Sequence, residues 1–129
     1  MLQSFLDFTV LMIKAENILQ KRIEYFKNKE YEKIYDIYSL ESEFRRYFEN
    51  KEIYKEHFEK LIDTLVPESV EIYKVLYNNE RAEILFLEKL RDLKEDKLIN
   101  CYSKSYLVLE NGSWKILKEI RESTLNKGV

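Results

Sequence analysis

Residues 107–119, LVLENGSWKILKE, decide the fold. Two apolar-rich runs meet at Asn111-Gly112, the pair favoured in a two-residue type I′ hairpin because both turn residues take φ > 0. The chain has only two glycines, and the other, Gly128, is next to last. The one interior glycine therefore falls at the turn that most requires it. The turn sets a register in which Glu110 faces Ser113, Leu109 faces Trp114, Leu107 faces Ile116 and Ser105 faces Lys118. One face carries Leu107, Leu109, Trp114 and Ile116. The other carries Tyr106, Val108, Lys115 and Leu117, with Lys104 opposite Glu119 and Tyr102 opposite Arg121. A one-residue slip would turn the tryptophan outward, so the hairpin has one committed core face.

Working back from the hairpin, residues 70–77 and 81–90 read as strands joined by a tight turn at Asn78-Asn79. A charged loop with its four-residue turn at positions 94–97 then leads into the strand at 98–109. That loop sets Ala82 opposite Leu109, Ile84 opposite Leu107, Phe86 opposite Ser105, Glu88 opposite Ser103 and Leu90 opposite Cys101. Two independent turns thus select the same inward face, and their agreement is stronger than either alone. Further upstream the apolar period changes from 2 to 3.6. Residues 2–27 read as one long helix with a stripe of Phe8, Leu11, Met12, Ala15, Leu19, Ile23 and Phe26, which Asn28 closes in the left-handed conformation. A short helix at 30–38 presents Tyr31, Ile34, Tyr35 and Tyr38. Residues 39–48 are irregular or one helical turn. Asn50 caps a helix over 51–66, and Pro67 marks its stop.

Helices first and an antiparallel meander second make an α+β chain, with the N-terminal helices packed on a curved sheet. At 129 residues it is read as one domain: 1–66 helical, 67–122 sheet and 123–129 tail.

Composition narrows the function classes. The formal net charge of −2 removes the usual electrostatic reason to expect nucleic acid as a partner. The single cysteine, Cys101, excludes an internal disulfide framework and fits a reducing, cytoplasmic setting. Lys- and Glu-rich charge with short loops is a composition found in thermophiles. Residues 2–13 are almost wholly apolar, interrupted by Asp7. They lack the basic start and small-residue cleavage site of a signal peptide and are too short to span a bilayer, so they read as buried helix rather than membrane anchor. No phosphate-binding glycine loop, zinc spacing or nucleophile elbow is present, and no metal or cofactor is expected.

The helical half, the tyrosine-rich NKEYEKIYDIYS at 28–39, the ERAEILF strand at 80–86 and ENGSWKI at 110–116 together resemble the nuclear transport factor two-like superfamily, the cystatin-like α+β cone. The resemblance covers the chain from about Ala15 onward and rests on structural motifs. It implies helices packed into a curved meander around a cone. The superfamily includes isomerases, dehydratases, epoxide hydrolases, transport adaptors and non-catalytic accessory domains, so the resemblance does not select an activity.

Candidate site residues lie where the apolar rows of the inward face give way. Glu88, Cys101, Ser103, Ser105 and Lys118 gather there, with Glu88 diagonal to Lys118 across two small side chains. An acid beside hydroxyls at the end of an apolar cone suits proton transfer; an ordinary wet sheet end with a screened ion pair is the structural alternative. His57, the lone histidine, sits beside Tyr54, Phe58 and Leu61 and is either a cone-mouth base or a hydrogen-bonded boundary residue. Tyr35, Phe86, Glu88, Ser103, Ser105, Trp114 and Lys118 are the expected pocket set. The preferred reading is a non-catalytic binding or interaction domain with a small apolar-ligand pocket between helices and sheet. The alternative is an isomerase- or dehydratase-type enzyme using Glu88 as general base with His57 or a tyrosine as proton donor. An open pocket holding Glu88 and His57 favours the enzyme; Phe86, Trp114 and Tyr35 packed shut favours the module.

The outer sheet face is expected to carry Leu85, Tyr106 and Leu117 as one row flanked by Leu87 and Val108. An exposed apolar row implies an interaction surface, most simply a homodimer packed sheet on sheet.

Overall fold

The computed structural model of the chain describes residues 14–121. Among them, helices α1 (Asn17–Lys27), α2 (Tyr31–Asp36), α3 (Glu43–Tyr47) and α4 (Lys51–Leu61) precede strands β1 (Leu65–Asn78), β2 (Arg81–Asp92), β3 (Lys97–Glu110) and β4 (Ser113–Arg121). The strands form one antiparallel sheet in the order β1-β2-β3-β4. The long-helix reading of positions 2–13 lies outside the described residues, and α1 begins at Asn17 after a turn.

The deciding hairpin forms with Asn111 at φ 49° and Gly112 at φ 79°, both in the left-handed region the turn requires. Glu110 pairs with Ser113, Leu109 with Trp114 and Leu107 with Ile116. Beyond Leu107 the expected register fails. A bulge between Tyr106 and Leu107 lets β4 carry one extra residue, so Tyr106 meets Lys118, Ser105 meets Glu119, and Ser103 meets Arg121. Because side chains alternate, this single insertion turns Lys118 out to solvent and brings Glu119 to the inward face.

The β2–β3 register differs as well, by two residues. Asp92 ends β2 and accepts hydrogen bonds at Oδ1 from the backbone N–H groups of Lys94 and Glu95, at 2.9 and 3.2 Å. This side-chain turn starts the loop one residue earlier than expected, and Asp96 closes it at φ 49°. Ala82 therefore faces Leu107, Ile84 faces Ser105, Phe86 faces Ser103 and Glu88 faces Cys101. An even shift keeps every residue on its predicted face, so the core assignment survives the wrong partners.

Three smaller departures are local. Asn28 is not left-handed; the positive φ falls on Lys29, at 57°. The first hairpin turns at Asn79, φ 57°, with Asn78 already paired to Arg81. The helix expected over 51–66 ends at Leu61, and Pro67 lies inside β1, paired with Leu90. That strand is at a sheet edge, where proline's missing donor is tolerated. Asn50 caps α4 as expected, accepting from the Ile53 N–H at 3.0 Å.

Two apolar clusters hold the layers together. Ala15, Leu19 and Ile37 pack on Ala82, Ile84, Phe86, Leu107, Trp114 and Ile116 of the sheet. A second cluster is aromatic and helical: Ile34, Tyr35, Phe48, Tyr54 and Phe58. Tyr25 and Tyr38 pack against both. The backbone of Ile116 also bonds the segment after α2, donating to Ile37 and accepting from Ser39, each at 2.8 Å. This clips the helical layer to the free edge of β4.

On the outer face the predicted apolar row is broken. The two-residue shift sets Leu85 between Lys74 and Lys104, not beside Tyr106, and Lys104 pairs with Glu83 at 2.6 Å. Leu87 is only 5% exposed, flanked by the stacked rings of Tyr73 and Tyr102, 6.1 Å apart. Leu85 remains 39% exposed, while Tyr106 and Leu117 are half-buried.

Candidate functional site

Four charged side chains converge on the inward face, where the sheet meets the helices. Arg22 comes from α1, Glu88 from β2, and Glu119 and Arg121 from the bulged part of β4. Arg22 stands three residues after Leu19 and four before Phe26, which puts it within the apolar stripe, and helical geometry carries it inside to 2% exposure. Glu88 alternates inward after Ile84 and Phe86 and is 3% exposed. Glu119 and Arg121 owe their positions to the bulge alone.

The contacts close into a network. Arg22 Nη1 donates to Glu119 Oε1 at 2.7 Å and to the Tyr38 hydroxyl at 3.0 Å. Arg121 Nη1 donates to Glu88 Oε1 at 2.7 Å, and its Nη2 lies 3.8 Å from Glu119 Oε1. Ser105 Oγ donates to Glu119 Oε2. Arg121 Nη1 also contacts Ser103 Oγ at 3.5 Å and Cys101 Sγ at 3.8 Å. One atom is left over. Arg22 Nη2 lies 3.5 Å from Glu88 Oε2 but has no hydrogen-bond partner among the described residues.

Burial by itself would push the Glu119 carboxyl up, yet the guanidinium groups of Arg22 and Arg121, with hydrogen bonds from Arg22 and Ser105, hold it at about 2. Burial likewise opposes the charge on Arg22, but Glu119, Tyr38 and Glu88 overcome it and hold that group above its ordinary value. Burial raises Tyr38 despite Arg22, so its hydroxyl is neutral at physiological pH. The buried Arg22 and the more exposed Arg121, whose side chain is 40% exposed, are thus set against two carboxylates.

Above this network lies a cavity of about 390 Å³. Phe26, Phe44, Phe48, Tyr54, Leu65 and Leu90 wall it, Arg22, Glu88, Arg121 and Tyr38 form its polar part, and His57 stands at its exposed rim. The size falls in the range of small-molecule sites, and an apolar wall with a few convergent polar groups is their usual chemistry. A larger cavity of about 720 Å³ lies along the β4 edge by Tyr38, Phe44, Tyr106, Leu117 and Lys118.

The sequence-predicted set is therefore split. Glu88 and His57 do line one cavity, with the His57 ring 5.0 Å from Phe48. Phe86 and Trp114 are buried in the sheet core. Tyr35 is buried among the helical aromatics, its hydroxyl donating to the Phe48 carbonyl at 2.9 Å. Ser103 and Ser105 are buried beneath the network, bonded to Arg121 and Glu119. Lys118 is exposed and makes no pair with Glu88, because the bulge gave its inward place to Glu119.

Arg22, Glu119 and Arg121 were missed. A signal existed for the first: an arginine inside an otherwise apolar helical stripe must be paired if it is buried. For β4 the signal was weak, since strict alternation puts Lys118 inward as readily as the bulge puts Glu119 there. Among the described residues no cluster of His, Cys, Asp or Glu has the form of a metal site, and no helix is long and apolar enough to cross a membrane.

No protein-family model matches the chain, and no curated protein matches it. Solved structures do. A SEC-C motif containing protein from Rhodopseudomonas palustris, RPA3114, superposes with a TM-score of 0.62 at 12% identity, over 79% of this chain and 73% of that one. The NTF2 protein Rd1NTF2_05, in a substituted form, gives 0.62 at 10% identity, over 83% and 95%. Bd1075 from Bdellovibrio bacteriovorus gives 0.60 at 12%, over 82% of this chain and 38% of that one. At these identities the likeness concerns architecture. The fold is the α+β architecture of helices on an antiparallel meander, NTF2-like as the sequence motifs implied.

Proposed function

We propose that this chain is a non-catalytic binding module whose cone holds a small apolar ligand between helices and sheet. The observation that carries the reading is the aromatic-walled cavity of about 390 Å³ that ends on a closed ionic network. In that network Glu88 meets Arg121 at one oxygen and Arg22 at the other, which uses the carboxylate to balance charge instead of leaving it open as a base. His57 stands out at the rim. A screen of small apolar compounds by ¹H–¹⁵N NMR tests this. Binders should shift amides of Phe48, Tyr54, Leu65 and Leu90, and Leu90→Trp should abolish those shifts while the fold persists. Binders that ignore Leu90→Trp, or an absence of binders, would overturn it.

A second reading, an isomerase- or dehydratase-type enzyme with Glu88 as base, draws on Glu88 and His57 lining the same cavity. Turnover of a small carbonyl substrate that is lost in Glu88→Gln would favour it. Pairing of two copies through the outer face draws on the exposed Leu85 and, apart from it, on the half-buried Tyr106 and Leu117. Light scattering at micromolar concentration that returns the 15.8 kDa chain mass would refute pairing.

A further inference from the structure

Tyr38 and Phe44 line both cavities, and among the described residues no other side chain does. Their rings lie face to face, with centroids 3.8 Å apart and planes 9° from parallel. The cavity of about 390 Å³ borders the pair, and so does the one of about 720 Å³. The apolar lining resumes beyond it. Phe26, Phe48 and Leu90 stand on the smaller side, and Ala82, Leu107 and Ile116 of the sheet core on the larger. An apolar chain that passed the pair would meet apolar surface in either cavity.

The two rings are not held alike. The Tyr38 hydroxyl accepts from Arg22 Nη1 at 3.0 Å, and Arg22 is itself fixed by Glu119 at 2.7 Å. The neighbours of Tyr38 in the chain, Ile37 and Ser39, are both bonded through their backbones to Ile116 at 2.8 Å. Phe44 has no polar atom in its side chain and stands on α3, a helix of five residues, none of them buried. Beyond Tyr38, its ring meets those of Phe48 and Tyr54, with centroids at 4.9 and 5.0 Å. Such a short helix is not stable by itself and keeps its place through contacts of this kind. Changing the size of Phe44 therefore leaves the ionic network untouched, whereas changing Tyr38 would disturb it.

We infer that Phe44 is the end wall of the aromatic-walled cavity and sets the length of the apolar molecule it takes. This rests on the binding reading above and names the residue that determines specificity at the same site.

Straight-chain primary alcohols from hexanol to decanol, titrated into the ¹⁵N-labelled chain, measure that length. Each methylene removed from water should tighten binding about fourfold until the chain reaches the ring, where the gain should stop. In Phe44→Ala the gain should continue to longer alcohols, and the amides of Leu107 and Ile116 should begin to shift along with those of Phe48 and Leu90. Phe44→Leu, which keeps an apolar side chain in the aromatic cluster, should move the break the same way by less, and it carries the test if the alanine variant does not fold. A break at the same alcohol in wild type and variants leaves the cavity reading standing and overturns the role of Phe44. A wild type without a break, whose longer alcohols already shift the Leu107 and Ile116 amides, overturns it too. If no alcohol shifts the Phe48 and Leu90 amides of the wild type, the binding reading falls and the inference goes with it.

Discussion

Arg22→Met is the most informative perturbation of the network. Methionine keeps most of the apolar stem and removes the guanidinium, so the change is mainly electrostatic. Glu119 then keeps Ser105 and an Arg121 nitrogen at 3.8 Å but loses its 2.7 Å partner. Glu88 keeps Arg121 at 2.7 Å. Breaking a buried pair from one side costs about 3–5 kcal/mol. With a urea slope of about 2 kcal/mol per molar, the midpoint should fall by roughly 2 M at pH 7. The pH dependence supplies a second readout. The folded value of Glu119, about 2, lies below its ordinary value, so its contribution is complete above about pH 4.5 and is lost as pH falls toward 2. The shift corresponds to about 3 kcal/mol. In Arg22→Met that acid-side slope should shrink, and adding Glu119→Gln should restore part of the lost stability. A fall of under about 0.5 M in the midpoint, with the acid-side slope intact, would refute the network.

Other outcomes follow from the same contacts. Trp114→Ala should lose about 3–5 kcal/mol in a denaturant melt, since the ring is buried against the sheet core and 5.8 Å from Tyr77. Gly112→Val should cost about 1–2 kcal/mol in the same melt. A Cβ there meets nothing within 4 Å, so the whole penalty is the left-handed backbone at φ 79°. Glu88→Gln should destabilise by about 2–4 kcal/mol, because it leaves Arg121 and Arg22 facing a neutral amide, and a melt unchanged from the wild type would refute that role. Lys118→Ala, by contrast, should leave the stability within about 0.5 kcal/mol of the wild type in the same melt, as befits an exposed side chain turned away by the bulge.

The fold was legible because its strongest signals are local. Asn111-Gly112 forces one turn geometry, and the alternation of Leu107, Leu109, Trp114 and Ile116 around it selects one face. The β2–β3 partners were misjudged by two residues, yet Ala82, Ile84 and Phe86 still point inward, since faces repeat every two positions. The site was only partly legible. Glu88 could be found by alternation. Glu119 and Arg121 depend on the bulge between Tyr106 and Leu107, which the run WKILKEIR does not announce, and that bulge exchanges a predicted lysine for a glutamate. Arg22 was readable in principle from its place in the helical stripe, but its partners are far away in sequence and emerge only from tertiary packing. The outer face shows the same limit. Its apolar residues are present, but the register shift sets lysines on either side of Leu85 and stacked tyrosines beside Leu87.

The inward turn of Glu119, with the network it completes under the cavity, is tested most directly by a ¹³C titration of its side-chain carboxyl. The account predicts that the Glu119 Cδ signal stays at its ionised position as pH is lowered from 6 to 3.5, with a midpoint at about 2. A Glu119 midpoint near 4.5 would mean that β4 runs without its bulge, that Lys118 is the inward residue, and that the cavity has no such floor.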